Sequence, residues 1–118
     1  MFLKVLKSKI HRATVTDASI DYVGSITIDR DLMDASGIIE NECVLVADLT
    51  NGERFETYVI EGPRGSGTIC INGAAARLVD VGDLVIVMAF AYATPQEAAA
   101  LKPSTVLVDA KNKMVKRA

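Results

Sequence analysis

The fold is constrained most by a series of short apolar runs that are rich in valine, isoleucine and threonine and that end at turn residues. β-Branched residues favour extended strands, and runs of this length are typical of strands rather than helices. Asn51-Gly52 separates two of the runs and is a strong signal for a tight hairpin turn. The sequence therefore predicts strands over residues 5–10, 13–15, 26–28, 44–49, 55–60, 69–71, 84–92 and 106–108.

Signals for helices are brief by comparison. Residues 31–36 precede Gly37, and a glycine often ends a helix because it adopts the left-handed conformation without strain. Residues 94–97, Thr-Pro-Gln-Glu, have the pattern of a helix N-terminus, and Pro103 ends the short helix that they open. Strands outnumber these helices, so we predict one mainly β domain over residues 1–118, a barrel with short helical connections.

Two stretches of the chain repeat the same order of strand, short helix, acidic turn and strand. Residues 24–29, Gly-Ser-Ile-Thr-Ile-Asp, match residues 67–72, Gly-Thr-Ile-Cys-Ile-Asn. Residues 41–46 match residues 82–87 in the same way. A repeated unit of this kind predicts a barrel built from two related halves. Chance similarity is the alternative, because alternating apolar residues are common in strands.

Charge and hydrophobicity argue against several classes of protein. The 118 residues include 13 Lys+Arg and 15 Asp+Glu, and the net charge of −2 argues against nucleic-acid binding, which normally needs a basic face. Half of the residues, 50%, are hydrophobic, so we expect an apolar subunit interface and an oligomer. The longest apolar run, residues 84–93, is shorter than the roughly 20 residues that cross a bilayer, so no membrane association is expected.

The N-terminus and the cysteines indicate a cytoplasmic protein. Lys4, Lys7 and Lys9 interrupt any hydrophobic stretch of the kind that a signal peptide needs. Cys43 and Cys70 lie in separate apolar runs and form no CxxC motif, so we expect two reduced thiols in buried strands.

Motifs for metals and common cofactors are missing from the sequence. One histidine and two separated cysteines make no plausible zinc site. No P-loop or GxGxxG motif occurs, and no GxSxG elbow supports a serine triad. The glycine-rich residues 62–67 join two strands and are predicted to form a loop rather than a phosphate cradle. Any chemistry therefore has to come from polar side chains placed in or beside strands.

Two pairs of polar side chains lie within predicted strands. Lys9 and His11 are two residues apart and share a strand face, although a solvated face would have the same spacing. Arg54 and Tyr58 also share a face, with Thr57 on the opposite side unless a bulge intervenes. The alternative for this second pair is an exposed hairpin strand with Tyr58 half packed.

Two glycine-containing segments border strands. Residues 72–76, Asn-Gly-Ala-Ala-Ala, end a strand, and their backbone amides could face a ligand or could simply turn into a helix. Gly24-Ser25 precedes a strand. A glycine permits backbone angles that could hold the Ser25 hydroxyl strained against the preceding carbonyl, although the spacing alone equally fits a plain turn.

Five segments together form a specific pattern: Lys-Ser-Lys-Ile-His-Arg-Ala-Thr-Val-Thr (7–16), Tyr-Val-Gly-Ser-Ile-Thr-Ile-Asp (22–29), Asn-Gly-Glu-Arg-Phe-Glu-Thr-Tyr (51–58), Arg-Gly-Ser-Gly (64–67) and Ile-Asn-Gly-Ala-Ala-Ala (71–76). In this order and spacing they resemble the family of pyruvoyl-dependent aspartate decarboxylases. The resemblance extends to about Asp109 and leaves residues 111–118 as a basic tail. It implies the family fold, a six-stranded double-psi β-barrel with short helices, which agrees with the repeat.

By this resemblance the chain is made as an inactive proenzyme that cleaves itself between Gly24 and Ser25. The Ser25 hydroxyl would attack the Gly24 carbonyl, and elimination and hydrolysis would leave a pyruvoyl group at the new N-terminus. The products would be a β chain, residues 1–24, and an α chain, residues 25–118. The covalent pyruvoyl group made from Ser25 would be the cofactor, with no metal and no pyridoxal phosphate.

The resemblance also implies a reaction and a set of roles. L-Aspartate would form a Schiff base with the pyruvoyl ketone, lose its α-carboxylate as carbon dioxide and leave as β-alanine for pantothenate synthesis. Tyr58 matches the family's proton donor. Lys9 and Arg54 match residues that would bind carboxylates, and Asn72 and the amides of Gly73, Ala74 and Ala75 match groups that would hold negative charge. Thr57 matches a residue that would assist at the Gly24 carbonyl and contact substrate. His11 matches a residue near the processing site.

The resemblance implies a homotetramer with active sites between subunits, and a maturation factor is a further possible partner. Two other classes of function remain open on the residues alone. A non-catalytic double-psi barrel that serves as a binding module predicts an intact chain at position 24. A swapped-hairpin β domain that binds DNA is disfavoured by the acidic balance.

Overall fold

The computed structural model describes all residues of the chain, 1–118, and its strands far outnumber its helices. The mainly β prediction is therefore confirmed. In chain order the elements are β1 (Leu3–Thr14), β2 (Asp17–Ser19), β3 (Ser25–Asp29), α1 (Arg30–Ser36), β4 (Cys43–Asp48), β5 (Arg54–Gly62), β6 (Ile69–Asn72), a 3-10 helix (Gly73–Leu78), β7 (Leu84–Ala93), α2 (Pro95–Ala100), β8 (Ser104–Val108) and β9 (Met114–Arg117).

The predicted turns and helix ends are found where the local chemistry placed them. Asn51-Gly52 connects the antiparallel strands β4 and β5. Gly37 ends α1 with a φ of +72°, and Thr94 opens α2 with a complete capping box. Residues 62–67 form the predicted loop, in which the Asp29 carboxylate accepts the backbone N–H groups of Gly65 and Gly67. No helix has both the length and the apolar character needed to cross a membrane.

Three parts of the strand pattern differ from the prediction. β1 is one continuous strand where two runs were expected, with a bulge before Ala13 where Arg12 adopts a φ of +64°. β2 was not predicted, because its three residues, Asp-Ala-Ser, form no apolar run. No strand was predicted in the basic tail, residues 111–118, but β9 lies there and pairs antiparallel with β8. All four side chains of β9 are exposed, so the alternation that reveals a half-buried strand is missing there.

The strands form one hydrogen-bonded sheet in the order β2-β6-β3-β5-β4-β7-β1-β8-β9. Its two outer strands are not hydrogen-bonded to each other, so closure into a six-stranded double-psi barrel stays a prediction. The inner face carries the fully buried core, which includes Ile26, Val46, Val59 and Val87. The opposite face of β5, β4, β7 and β1 carries Lys9, His11, Arg54 and Tyr58.

The repeat is visible as an internal pseudo-twofold relation between strands. β3 and β6, the first strands of the two halves, pair antiparallel with Thr27 opposite Cys70. β4 and β7, the second strands, pair antiparallel with Val46 opposite Val87. In both ladders the central residues occupy the same place in the two repeats, as a twofold axis through each ladder requires. The two halves therefore pack against each other in the same way that two symmetric subunits would.

Candidate active site

Ser25 is the first residue of β3 and is completely buried, with 0% exposure. Asn72, at the end of β6, lies directly opposite it in the antiparallel ladder. The Nδ2 atom of Asn72 donates a hydrogen bond of 2.9 Å to Ser25 Oγ. The Ser25 hydroxyl itself donates a long hydrogen bond of 3.4 Å to the carbonyl of Val23. The hydroxyl is thus shielded from water, bonded on one side by an amide and directed on the other toward the preceding backbone.

The backbone of Gly24 packs against Gly73, the residue that follows Asn72. Gly73 has a φ of +74°, and a Cβ there would lie 2.5 Å from Gly24 Cα and 2.8 Å from Gly24 N. Gly24 is not among the glycines with positive φ, so the unusual backbone angles that a glycine permits are not used at position 24. The steric requirement lies instead at Gly73, where only a glycine fits. The 3-10 helix that begins at Gly73 also contains Ala74 and Ala75.

Two side chains that the sequence did not single out complete the surroundings of Asn72. Its Nδ2 atom donates a second hydrogen bond of 3.1 Å to Thr27 Oγ1, and its Oδ1 atom accepts one of 3.2 Å from Cys70 Sγ. Thr27, Cys70 and Asn72 also line an open, mostly polar cavity of about 550 Å³. The signal that could have found Thr27 and Cys70 was the repeat, in which they occupy equivalent positions on strands that pair.

Arg54 and Tyr58 lie on the same face of β5, and Thr57 lies on the opposite face. The β4–β5 ladder has no register shift, so the predicted parity holds. Tyr58 is 36% exposed. β5 runs parallel to β3, with Val59 beside Ile26, and the residues that precede this pair are Tyr58 and Ser25. The fold therefore brings Tyr58 to the strand position next to the buried serine. No hydrogen bond joins Thr57 to Gly24.

Lys9 and His11 lie on β1, which is separated from β5 by β7 and β4 in the sheet. Both are half-buried and alternate with the buried Ser8 and Ile10, so they share a face as predicted. Across the sheet from Lys9, each opposite the last, are Met88, Leu45 and Glu56. Lys9 is thus on the same face as Arg54 and Tyr58 but three strand spacings away, about 14 Å. No hydrogen bond within the chain links Lys9 or His11 to Ser25.

The cations of the chain divide into paired and unpaired groups. Arg30 and Arg64 form ion pairs with carboxylates on and around α1, and Lys7 pairs with Glu42. Lys9 and Arg54 belong to no ion pair, and Arg54 is exposed. Because Lys9 and Arg54 are unpaired and lie on one face of the sheet, both are available to an anionic ligand.

The surroundings of His11 favour its neutral form. Burial lowers the pKa of His11 below its usual 6.5, and the positive charges of Lys9 and Arg12 lower it further. Its Nδ1 atom is buried without a hydrogen-bond partner. A neutral imidazole with a free nitrogen can accept a proton, which is the function of a general base.

Comparisons with known proteins agree with this geometry. The family model described as aspartate decarboxylase matches residues 1–115. The aspartate 1-decarboxylase of Caldicellulosiruptor saccharolyticus is 65% identical over 116 residues, which cover 98% of this chain and 91% of that protein. The aspartate 1-decarboxylases of Lactiplantibacillus plantarum and Neisseria meningitidis are 61% and 58% identical, over 99% and 97% of this chain and 90% of each relative.

Proposed function

Because the chain belongs to the aspartate decarboxylase family, we propose that it converts L-aspartate to β-alanine and carbon dioxide with a pyruvoyl group made from its own Ser25. The chain is a carboxy-lyase, and its product enters pantothenate synthesis and so the supply of coenzyme A. The observation that carries the proposal is the buried Ser25 hydroxyl, held by Asn72 Nδ2 at 2.9 Å beside the Gly24 backbone.

The residues around Ser25 fit the formation of a pyruvoyl group. A serine is a weak nucleophile unless neighbouring groups activate it and water is kept away. Ser25 is fully buried, and the close approach of Gly73 covers the Gly24 backbone without any side chain. One N–H of Asn72 Nδ2 donates to Ser25 Oγ, so it stabilises negative charge as it develops there.

Self-processing then needs only atoms of the chain and one water. Ser25 Oγ attacks the Gly24 carbonyl carbon, the bond from that carbon to the Ser25 nitrogen breaks, and the nitrogen gains the proton that the hydroxyl loses. A base removes the Hα of Ser25, and the ester releases the Gly24 carboxylate by β-elimination. Hydrolysis of the resulting dehydroalanine releases ammonia. The chain is then divided into residues 1–24 and 25–118, with the new ketone at the start of the longer piece.

Two further residues assist this cleavage. Thr57 lies on β5, the strand beside β3, and we assign to its hydroxyl a hydrogen bond to the Gly24 carbonyl as the ester forms. His11 is neutral because its pKa is lowered, so it can accept a proton. Its place on β1, apart from Ser25 in the sheet order, fits a contribution from a neighbouring subunit.

The remaining site residues bind aspartate and move its protons. The pyruvoyl ketone supplies a carbonyl that binds the substrate amine and withdraws electrons from the carboxylate that leaves. Tyr58, beside Ser25, donates a proton to the carbon that has lost carbon dioxide. Arg54 and Lys9, which are free of ion pairs, bind the carboxylates of the dianion. Asn72, Thr57 and the backbone amides of Gly73, Ala74 and Ala75 complete the substrate contacts.

We assign the working form to a homotetramer of double-psi barrels in the cytoplasm, with each site shared between subunits. The distance of about 14 Å between Lys9 and β5 supports a shared site, since one copy can supply Lys9 to the Ser25 of another. Exposed apolar side chains next to Gly24 also support an interface there, since Tyr22 and Val23 are 64% and 73% exposed. A maturation factor would act on the same exposed segment.

Intact-mass spectrometry under denaturing conditions tests the proposal. We expect two fragments divided between Gly24 and Ser25, the larger one lighter by one ammonia than a chain starting with serine, together with release of β-alanine from aspartate. Ser25→Ala should give a single uncleaved and inactive chain. The matched control is Thr68→Ala, which removes the hydroxyl at the equivalent place of the second repeat and should leave cleavage unchanged. A cleaved Ser25→Ala chain would contradict the mechanism.

A further inference from the structure

Cys70 meets Asn72 on the side away from Ser25. Its Sγ atom lies 3.2 Å from Asn72 Oδ1, while Asn72 Nδ2 contacts Ser25 Oγ at 2.9 Å. We propose that Cys70 is a positioning residue for self-processing: its S–H group binds Asn72 Oδ1 and so holds the carboxamide with Nδ2 toward Ser25. The proposal rests on the self-processing proposed above and concerns a residue outside the set assigned to it.

The other contacts of Asn72 do not select one orientation of the carboxamide. Its two halves have nearly the same shape, and Nδ2 faces two hydroxyls, those of Ser25 and Thr27. A hydroxyl both donates and accepts, so a carboxamide rotated by half a turn would still find partners at both places. The thiol is different, because an S–H group facing Oδ1 makes a hydrogen bond whereas a sulfur facing Nδ2 is only a weak acceptor. Cys70 therefore selects the orientation of the carboxamide that places Nδ2 toward Ser25.

The surroundings of Cys70 keep it in the form that donates. Burial raises the pKa of the Cys70 thiol above its usual 9.0, and the negative charge of Asp17 raises it further. The thiol therefore keeps its proton at neutral pH. A thiolate at the same place would attract Nδ2 and turn the carboxamide away from Ser25.

The orientation matters for the attack of Ser25 on Gly24. With Nδ2 toward Oγ, the amide stabilises the negative charge that develops as the hydroxyl loses its proton. With Oδ1 toward Oγ, the amide would instead hold that proton in place and repel the developing charge. A misoriented Asn72 therefore slows cleavage without removing any residue that reacts.

The test compares cleavage rates of newly made chains in cell-free synthesis, followed by denaturing mass spectrometry over time. Cys70→Ala removes the donor, and we expect cleavage to be about threefold to tenfold slower, as befits one weak hydrogen bond. Cys70→Ser restores a donor of similar shape and should cleave within about twofold of the unsubstituted chain. The matched control is Cys43→Ala, whose thiol contacts Glu56 and not Asn72, and it should cleave normally.

A second comparison separates positioning from a general effect on the fold. In an Asn72→Ala background the Cys70→Ala substitution should slow cleavage no further, because its only route to Ser25 is gone. Equal slowing in both backgrounds, or normal cleavage of Cys70→Ala, would overturn the role of Cys70 alone. An unsubstituted chain that never cleaves would overturn the self-processing itself.

Discussion

At the scale of single residues, the two reactions proposed for this chain depend on different side chains of one sheet face. Ser25 and Asn72 contact each other and act in the proposed cleavage. The side chain of Tyr58 is half-exposed, and its hydroxyl has no hydrogen bond within the chain. Tyr58→Phe should therefore cleave at the normal rate but lose the proton donor of decarboxylation. We expect turnover per cleaved subunit to fall by about 10²-fold or more, measured as β-alanine formed. Tyr92→Phe, which removes an exposed hydroxyl elsewhere, is the control, and full activity of Tyr58→Phe would remove Tyr58 from its role.

Gly73 offers a second residue-scale prediction because two separate costs act there. Gly73→Ala introduces a Cβ at 2.5 Å from Gly24 Cα and also forces an L residue to a φ of +74°. Gly37 has almost the same φ, +72°, but nothing within 4 Å of its ideal Cβ. Gly37→Ala should therefore lose only the conformational share of stability, about 1 kcal/mol, whereas Gly73→Ala should lose more and displace Gly24. Urea unfolding and the rate of cleavage measure the two effects, and equal stability losses would contradict the predicted clash.

The sequence could predict functional residues that belong to a motif, and it could predict which face of a strand a residue occupies. It could not predict contacts between strands. Arg54, Thr57 and Tyr58 lie on the faces that their spacing predicts because the β4–β5 ladder has no bulge. The hydrogen bonds that Asn72 makes with Thr27 and Cys70 depend on which strand lies opposite which, and the spacing of residues within one strand carries no such information. The close contact at Gly24 could not be predicted for the same reason, since it comes from Gly73, which follows β6.

At the scale of elements, the ends of β4 and β7 are joined by two buried carboxyl groups. Asp48 ends β4 and is 2% exposed; Asp83 lies just before β7 and is 8% exposed. Burial raises the pKa of Asp48, and the neighbouring Asp83 carboxyl raises it further. The Asp48 carboxyl in turn lowers the pKa of Asp83, as does the backbone N–H of Asp80. The two pKa values therefore move in opposite directions, and Asp48 is the carboxyl that keeps its proton to the higher pH.

The sign of the pH dependence follows from these shifts. The folded state keeps a proton on Asp48 that the unfolded chain loses near the usual pKa of 3.8, so this contribution to stability is lost as pH rises from there through the folded pKa. The contribution of Asp83 is lost in the opposite direction, as pH falls below 3.8. The pair thus stabilises the fold most near pH 4 and less as the pH rises into alkaline solution.

Asp48→Asn tests this pair because an asparagine donates permanently to Asp83 and still accepts the backbone N–H groups of Thr50 and Asn51. We expect the variant to melt about 4 °C or more above the parent at pH 8 and near it at pH 4. Both chains carry Ser25→Ala so that they stay uncleaved. The control is Asp80→Asn in the same turn, and a difference that does not change with pH would contradict the raised pKa of Asp48.

Elements that the sequence failed to predict are those whose strands lack a buried side. β9 has no buried side chain and is joined to the fold through its ladder with β8 and through the turn before it. In that turn the buried Asn112 donates to the carbonyls of Thr14 and Gly67 and accepts the N–H of Thr14. A single asparagine in a basic tail is not part of any periodic pattern of apolar residues, so the sequence could not predict these contacts.

At the scale of the whole molecule, the pseudo-twofold relation raises the question of why one half cleaves and the other does not. The equivalent of Gly24-Ser25 in the second half is Gly67-Thr68, which also places a hydroxyl after a glycine. The equivalent of Asn72 is Asp29, whose carboxylate accepts the N–H groups of Gly65 and Gly67. At Ser25 the opposite residue donates to the hydroxyl, whereas at Thr68 it can only accept from the backbone. The polarity of this one side chain distinguishes the two halves.

Asn72→Asp gives the half that contains Ser25 the same acidic side chain that the other half has at Asp29. A carboxylate at position 72 cannot donate to Ser25 Oγ, and its negative charge repels the charge that develops there during the attack. We expect cleavage between Gly24 and Ser25 to slow by about 10²-fold or more, followed by mass spectrometry of newly made chains. Asn72→Ala should be less impaired, because it removes the donor without adding a charge. Cleavage of Asn72→Asp as fast as that of Asn72→Ala would mean that charge at this place is irrelevant, and the two halves would then have to differ in backbone geometry instead.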